Sequence, residues 1–200
     1  MAGLPLASHG DASALPVSVV TNPEIATAGP GLLNRQEVLM ADRASASIVL
    51  GGTITASDYA ELSEIIADER LSTEWDGPTY APDHRVVGEP LSLYAHEVAW
   101  GSFDTLEACC VEKKIPFTRW SGAYAGQWGA ERVVFTGEGA PTSYAVDEED
   151  YVVIDRGTVQ QLGSIDAILA HFAAADASIP PLLVEGDPQQ SSSGAAGGGA

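Results

Sequence analysis

Apolar positions in the middle of the chain switch between strand-like and helix-like spacing. Residues 46–50 form an apolar, β-branched run that ends at two glycines, which is typical of a strand. Ser57 can cap a helix soon after this run, because its hydroxyl can accept a free backbone N–H. In that helix an apolar face is formed at helical spacing by Tyr59, Leu62, Ile65 and Ile66. The pattern therefore predicts a strand followed by an amphipathic helix.

The alternation continues along the chain and predicts the fold class. A second strand is expected at residues 91–98, and Ser102 can cap a second helix. Further strands are expected at residues 116–120, 132–136, 142–146 and 151–154. Ser164 can cap a last helix with an apolar face of Ile165, Ile168, Leu169 and Phe172. This order predicts an α+β fold with a mixed β-sheet, helices on one face and ferredoxin-like, split β-α-β elements.

Composition divides the chain into one domain and two tails. Residues 1–43 and 186–200 are rich in small residues and show no sustained period, so we expect disordered tails around a single domain at 44–185. Met40 stands just before the first strand, which favours a natural start there and an over-extended reading frame upstream. The mass of the native N-terminus tests that start.

The charge of the chain narrows the classes of partner. The sequence has 28 Asp+Glu against 9 Lys+Arg, a net charge of -19. Residues 44–187 hold 24 of these acids and seven of the bases, so the excess belongs to the predicted domain. A surface this acidic repels nucleic acids and anionic membranes and favours a basic protein surface. The only cysteines, Cys109 and Cys110, are adjacent, and no leader pattern is present, so we expect a cytoplasmic protein.

Acidic residues gather in two places that we take as candidate partner-binding groups. The first helix carries Asp58, Glu61, Glu64 and Asp68. A run beside a predicted strand contains Asp147, Glu148, Glu149 and Asp150. On one face, such carboxylates could imitate the phosphates of a duplex and block a nucleic-acid-binding enzyme. The alternative is a solvated surface that promotes solubility.

No strong catalytic, metal or nucleotide motif occurs in the sequence. The chain lacks G-x-S-x-G, a Walker A lysine, the EF-hand spacing and C-x-x-C. His96 and Glu97 are neighbours on a predicted strand, where successive side chains point to opposite faces, so a shared metal shell is not expected. We therefore predict no catalytic residues, no metal and no cofactor.

A Gly-rich loop at residues 119–129 holds the most distinctive side chains. Its candidate recognition residues are Arg119, Trp120, Tyr124 and Trp128, and Trp75 and Trp100 could join them. Exposed Trp, Tyr and Arg dominate binding hot spots, so the loop is a candidate recognition patch. Two alternatives stay open: the tryptophans close over the sheet as core, or the loop forms a small-ligand or enzyme site together with His96.

Three segments resemble small acidic accessory proteins of proteobacterial plasmids and conjugative elements. They are residues 72–77, 95–101 and 119–137. The resemblance implies a setting, a mobile genetic element whose cargo includes anti-restriction and anti-CRISPR proteins, and it implies no catalytic residues. Together with the charge, it favours a non-enzymatic interaction protein, in its most specific form an anti-defence nucleic-acid mimic that binds a nucleic-acid-binding defence enzyme.

Overall fold

The computed structural model describes residues 42–188 and contains four helices and seven strands in that range. In chain order the elements are β1 (Arg43–Leu50), β2 (Gly52–Ile54), α1 (Ala56–Asp68), β3 (Leu91–Ala99), α2 (Asp104–Lys113), β4 (Phe117–Ser121), β5 (Glu131–Phe135), β6 (Thr142–Ala145), α3 (Arg156–Leu162), α4 (Ile165–Ala175) and β7 (Leu182–Val184). A 3₁₀ turn, Pro82–His84, lies between α1 and β3. Most of both predicted tails, and the hypothesis about Met40, lie outside the described residues.

Five strands form one antiparallel sheet in the order β3-β1-β4-β5-β6. Because β1 runs antiparallel to both β3 and β4, those two strands are parallel to each other. With α2 between them in sequence, β3, α2 and β4 make a split β-α-β unit around β1. The α+β prediction is confirmed. Parallel pairing in the described chain occurs in a separate two-stranded sheet of β2 and β7.

One face of the sheet carries the main core. Along β1, Ala44, Ala46, Ile48 and Leu50 are buried in strict alternation with partly exposed residues. Helices α1 and α2 cover this face with Leu62, Ile66, Leu106 and Cys110. Burying each such aliphatic side chain contributes roughly 1.5–3 kcal/mol. The apolar face predicted for the first helix therefore packs inward.

A smaller cluster lies on the opposite face, under α4. Val133 and Phe135 belong to the main core, whereas Val134 between them packs with Tyr144 and Ala175. Because side chains alternate along a strand, this second cluster lies across the sheet from α1 and α2. The helices therefore occupy both faces of the sheet. Helices α1 and α2 share one face, as expected, whereas α4 lies on the other.

Two of the three predicted helix caps differ in the structure. Thr55 rather than Ser57 caps α1, and its hydroxyl accepts the N–H of Asp58 at 3.0 Å. Phe103 holds the cap position of α2, where the Glu107 carboxylate accepts its backbone N–H at 3.0 Å. At α1 the neighbouring Thr55 thus takes the role expected of Ser57, whereas at α2 the Leu106 N–H is accepted by Glu69, at the end of α1, rather than by the side chain of the cap residue. Ser164 caps α4 as predicted.

The region after β6 differs from the predicted strand at residues 151–154. Only one isolated bridge, Val146 to Val152, forms there among the described residues. It is followed by α3, which the sequence did not predict. Asp155 caps α3 by accepting the N–H groups of Gly157 and Thr158. Gly157 lowers helix propensity in the first turn, so the local pattern does not favour a helix.

The fold reaches beyond the predicted domain limits at both ends. Arg43 is the first residue of β1. Asp187 pairs with Arg85 through both carboxylate oxygens, at 2.5 and 2.9 Å. Between residues 42 and 188, each helix falls short of the length and apolarity that crossing a bilayer demands.

Candidate functional site

The acidic stripe of α1 is partly neutralised within the fold. Lys113 of α2 donates to the carboxylates of Asp58 and Glu61 at 2.7 and 2.8 Å. The hydrogen bond from Lys113 lowers the pKa of Asp58 and raises the pKa of the lysine. Glu64 and Asp68 are exposed on the same helix. Half of the stripe therefore joins α1 to α2, and the other half faces solvent.

The acidic run after β6 stabilises a turn. The Asp147 carboxylate accepts the backbone N–H groups of Glu149 and Tyr151 at 3.1 and 2.8 Å. Glu148 accepts the backbone N–H of Ala123 at 3.1 Å and so ties the turn to the aromatic loop. Glu149 itself is exposed.

The last acid of the run, Asp150, pairs with Arg132 at 2.9 Å. Arg132 also binds Asp176 at 2.7 Å, next to the end of α4, so it lies on the α4 face of the sheet. The stripe of α1 lies on the other face. The structure thus does not gather the two candidate acidic groups on one surface.

Arg119 lies in the interior rather than in the exposed loop. Arg119 is only 4% exposed, and its guanidinium pairs with the carboxylates of Glu107 at 3.0 Å and Glu131 at 2.7 Å. It also donates to the carbonyl of Gly101 at 3.0 Å. These contacts join β4 to α2, β5 and the turn after β3. Arg119 therefore has a structural position.

Trp120 follows Arg119 on β4 and so points to the opposite face of the sheet. The residues proposed for a ligand or enzyme site with His96 are consequently divided between the two faces. No group of three or more His, Cys, Asp or Glu suited to a metal ion occurs among residues 42–188.

Three aromatic rings come together at one end of the sheet: Trp100, Tyr124 and Trp128, which we call the aromatic cluster. Tyr124 stacks on Trp128 with ring centroids 5.1 Å apart, and Trp100 lies 5.8 Å from Trp128. Trp100 is 59% exposed, and the other two rings are partly buried. The cluster is therefore accessible and supported from within.

Backbone geometry holds Trp100 in this position. Its φ angle is 56°, which is rare for a bulky residue, and its N–H donates to the carbonyl of Asp42 at 2.8 Å. Glu97 also has a positive φ, at a bulge where β3 has one more residue than β1. Strained backbone of this kind concentrates at functional sites.

Carboxylates border the aromatic cluster. The charge of Asp42 and its hydrogen bond to the Tyr124 hydroxyl raise the pKa of Tyr124, and the charge of Glu97 adds to the shift. The backbone places both residues beside the cluster, because Asp42 accepts the Trp100 N–H at 2.8 Å and Glu97 lies three residues before Trp100, near the end of β3. Arg43 donates to the backbone carbonyl of Glu97 at 2.6 Å.

A second group of rings lies at the edge of β3. Trp75, which is 41% exposed, contacts Tyr94 and His96 at centroid distances of 5.0 and 4.8 Å. His96 shares a 3.0 Å hydrogen bond with Ser45 and lies 3.3 Å from an Asp76 oxygen. A cleft of about 400 Å³ adjoins these residues. Trp75 thus belongs to a separate group from Trp100.

Comparison with protein-family models, with curated proteins and with solved structures finds no match for this chain. The resemblance to plasmid accessory proteins stays a prediction that these comparisons do not test.

Sequence reasoning found Tyr124 and Trp128 and named Trp100 as a companion, but it missed Asp42 and the bulge at Glu97. Asp42 fell within the predicted tail. The bulge leaves no pattern in the sequence, because it depends on the pairing of β3 with β1.

Proposed function

We propose that this chain is a non-enzymatic interaction protein that binds a basic protein surface through its aromatic cluster. The observation that carries the proposal is a contiguous set of rings, led by the exposed Trp100, with Asp42 bound to the Trp100 backbone and Glu97 three residues before it. Large aromatic side chains supply most of the energy in many interfaces. Carboxylates beside them select a cationic partner.

The rest of the surface assists the encounter. The described residues hold 25 acids and eight bases, so the domain has a strong negative potential. Such a potential steers a basic partner towards the protein and repels nucleic acid and anionic membrane. Exposed acids such as Glu64, Asp68 and Glu149 contribute without needing to share one face.

The most specific form of the proposal is an anti-defence protein that occupies the basic surface of a nucleic-acid-binding enzyme. The charge and the resemblance to accessory proteins of mobile elements support this form. A cytoplasmic location belongs to the same proposal, since Cys109 and Cys110 are free thiols of the kind a reducing compartment maintains.

Retention of defined partners on the immobilised chain tests the proposal. The panel contains purified restriction and Cas nucleases with basic grooves, and acidic proteins of similar size as controls. We expect a basic nuclease to be retained at low salt and released at high salt, because screening weakens the attraction. Trp128→Ala should reduce retention, whereas Trp75→Ala, outside the cluster, should not. If none of the basic proteins is retained at low salt, the proposed function is wrong.

A further inference from the structure

The geometry points to an arginine side chain of the partner as the group that the aromatic cluster binds. We propose that its guanidinium stacks on the exposed rings and pairs with the carboxylates of Asp42 and Glu97. This inference rests on the proposed function and names the chemistry of the partner at the same site.

The rings form a platform rather than a cage. Tyr124 and Trp128 are stacked, with an interplanar angle of 24°, and Trp100 contacts the same Trp128 ring. Rings in mutual contact leave no space between them for a quaternary ammonium. The accessible surface is the outer side of the cluster, mainly Trp100, and a planar group can lie flat against it.

The charges around the platform complement a cation. Asp42 binds the Trp100 N–H through its own carbonyl at 2.8 Å, and the exposed Glu97 lies three residues before Trp100, at the bulge of β3. The neighbouring guanidinium of Arg43 donates to a backbone carbonyl, that of Glu97. Arg43 keeps its own positive charge beside Glu97, so the two carboxylates leave a net charge of about -1 next to the platform, which still favours a cation.

Arginine fits this combination better than lysine. A guanidinium is planar, stacks on aromatic faces and donates to carboxylates in a fixed fork, whereas an ammonium is a compact and strongly hydrated charge. The platform offers a face for stacking and acids at its rim, so it can use both properties of arginine at once.

The platform is also preorganised in the free protein. Trp100 is fixed by its left-handed backbone and its bond to Asp42, and Tyr124 and Trp128 are joined by a backbone hydrogen bond of 3.1 Å. Glu148 holds the adjoining Ala123 N–H. A site that needs little ordering loses less of its interaction energy on binding.

Paired peptides test the inference on the full chain. The probes are a fluorescent Gly/Ser peptide that bears three spaced arginines and its all-lysine counterpart, and the readout is fluorescence anisotropy at low salt. We expect the arginine peptide to bind roughly threefold to tenfold more tightly, because a guanidinium stacks flat on an aromatic face and donates to carboxylates in a fixed fork, whereas an ammonium does neither. Trp100→Gly should abolish this preference, and Trp100→Phe should keep most of it. Glycine suits the positive φ of residue 100, so the variant is expected to fold.

Charge variants distinguish the local effect of the Asp42 carboxylate from the effect of the protein's overall negative potential. Asp42→Asn retains an acceptor for the Tyr124 hydroxyl but removes the charge, and it should weaken arginine binding more than Asp83→Asn, a matched change at an exposed acid of the 3₁₀ turn. Equal affinity for the two peptides, or a preference that survives Trp100→Gly, overturns the arginine assignment while leaving the proposed function intact. If neither peptide binds, the arginine assignment is wrong. Retention of a basic nuclease would then still support the proposed function.

Discussion

At the scale of single residues, Glu69 shows how burial can outweigh a favourable hydrogen bond. Its Oε1 accepts the N–H of Leu106 at 3.1 Å, in the first turn of α2. Its Oε2 is buried and has no hydrogen-bond partner within the described chain. Burial raises the pKa of Glu69 above its ordinary value of 4.5, although the α2 N–H groups oppose this. The ionised carboxylate therefore costs the folded state free energy.

We predict that Glu69→Gln increases the free energy of unfolding relative to the wild type, and that this increase grows as pH rises. The raised pKa means that the stability contributed by wild-type Glu69 is present below pH 4.5 and is lost as pH rises through the folded-state pKa. Glutamine keeps an acceptor for Leu106 and never ionises. Urea unfolding of both proteins from acid to neutral pH should show a growing advantage for the variant. Glu64→Gln, at an exposed site on the same helix, is the control, and parallel curves for wild type and Glu69→Gln would contradict the prediction.

Adjacent residues on β4 show what the sequence could and could not establish at this scale. Alternation predicts that Arg119 and Trp120 point to opposite faces. It does not say which face is covered, because that depends on α2 and on Glu107 and Glu131, which are distant in sequence. In the sequence, Arg119 and Trp120 therefore looked like neighbours in one recognition patch, whereas in the fold their side chains lie on opposite faces of the sheet.

At the scale of elements, α4 departs furthest from what its pattern indicates. The sequence correctly predicts the helix and its cap. An apolar face at this spacing usually packs inward, yet Ile165 is 71% exposed and Leu169 is 60% exposed. The helix meets the sheet mainly through its C-terminal end, where Ala175 is buried and His171 contacts the Tyr144 ring. Periodicity reveals an amphipathic helix, but not how much of it the sheet can reach.

We predict that Leu169→Ser changes the free energy of unfolding by about 0.5 kcal/mol or less, as is usual for surface substitutions. Leu106→Ala, in the core under α2, should cost about 2–5 kcal/mol because it leaves a cavity. Chemical denaturation of the two variants beside the wild type measures the difference. A loss for Leu169→Ser close to that of Leu106→Ala would show that something covers α4 in solution.

At the scale of the whole molecule, local ion pairs compete with long-range repulsion. Among residues 42–188, four basic side chains pair with seven carboxylates; the bases are Arg85, Lys113, Arg119 and Arg132. Most acids in this range lie outside those pairs, and they repel one another over distances that salt screens effectively. Charge composition predicted this repulsion from the sequence alone, while the pairs depend on the fold.

We predict that sodium chloride raises the melting temperature of the protein. The Debye length falls from about 10 Å at 0.1 M to about 3 Å at 1 M, so repulsion between exposed acids weakens, while the mostly buried pairs Arg85–Asp187 and Arg119–Glu107 are screened much less. Thermal unfolding across this range measures the effect. The double variant Glu64→Lys and Asp68→Lys lowers the negative charge and should respond less to salt. A melting temperature that falls with salt would mean that the ion pairs dominate.

The position of Asp42 has a practical consequence for handling the protein. Its carbonyl accepts the N–H of Trp100, so any peptide fused directly ahead of it leaves the fold beside the aromatic cluster. Pro188 follows β7, which pairs with β2 beyond the far end of β1. In the full chain, an affinity tag or a chip linkage should therefore be attached at the C-terminal end, since one inserted directly ahead of Asp42 would obstruct the surface being assayed.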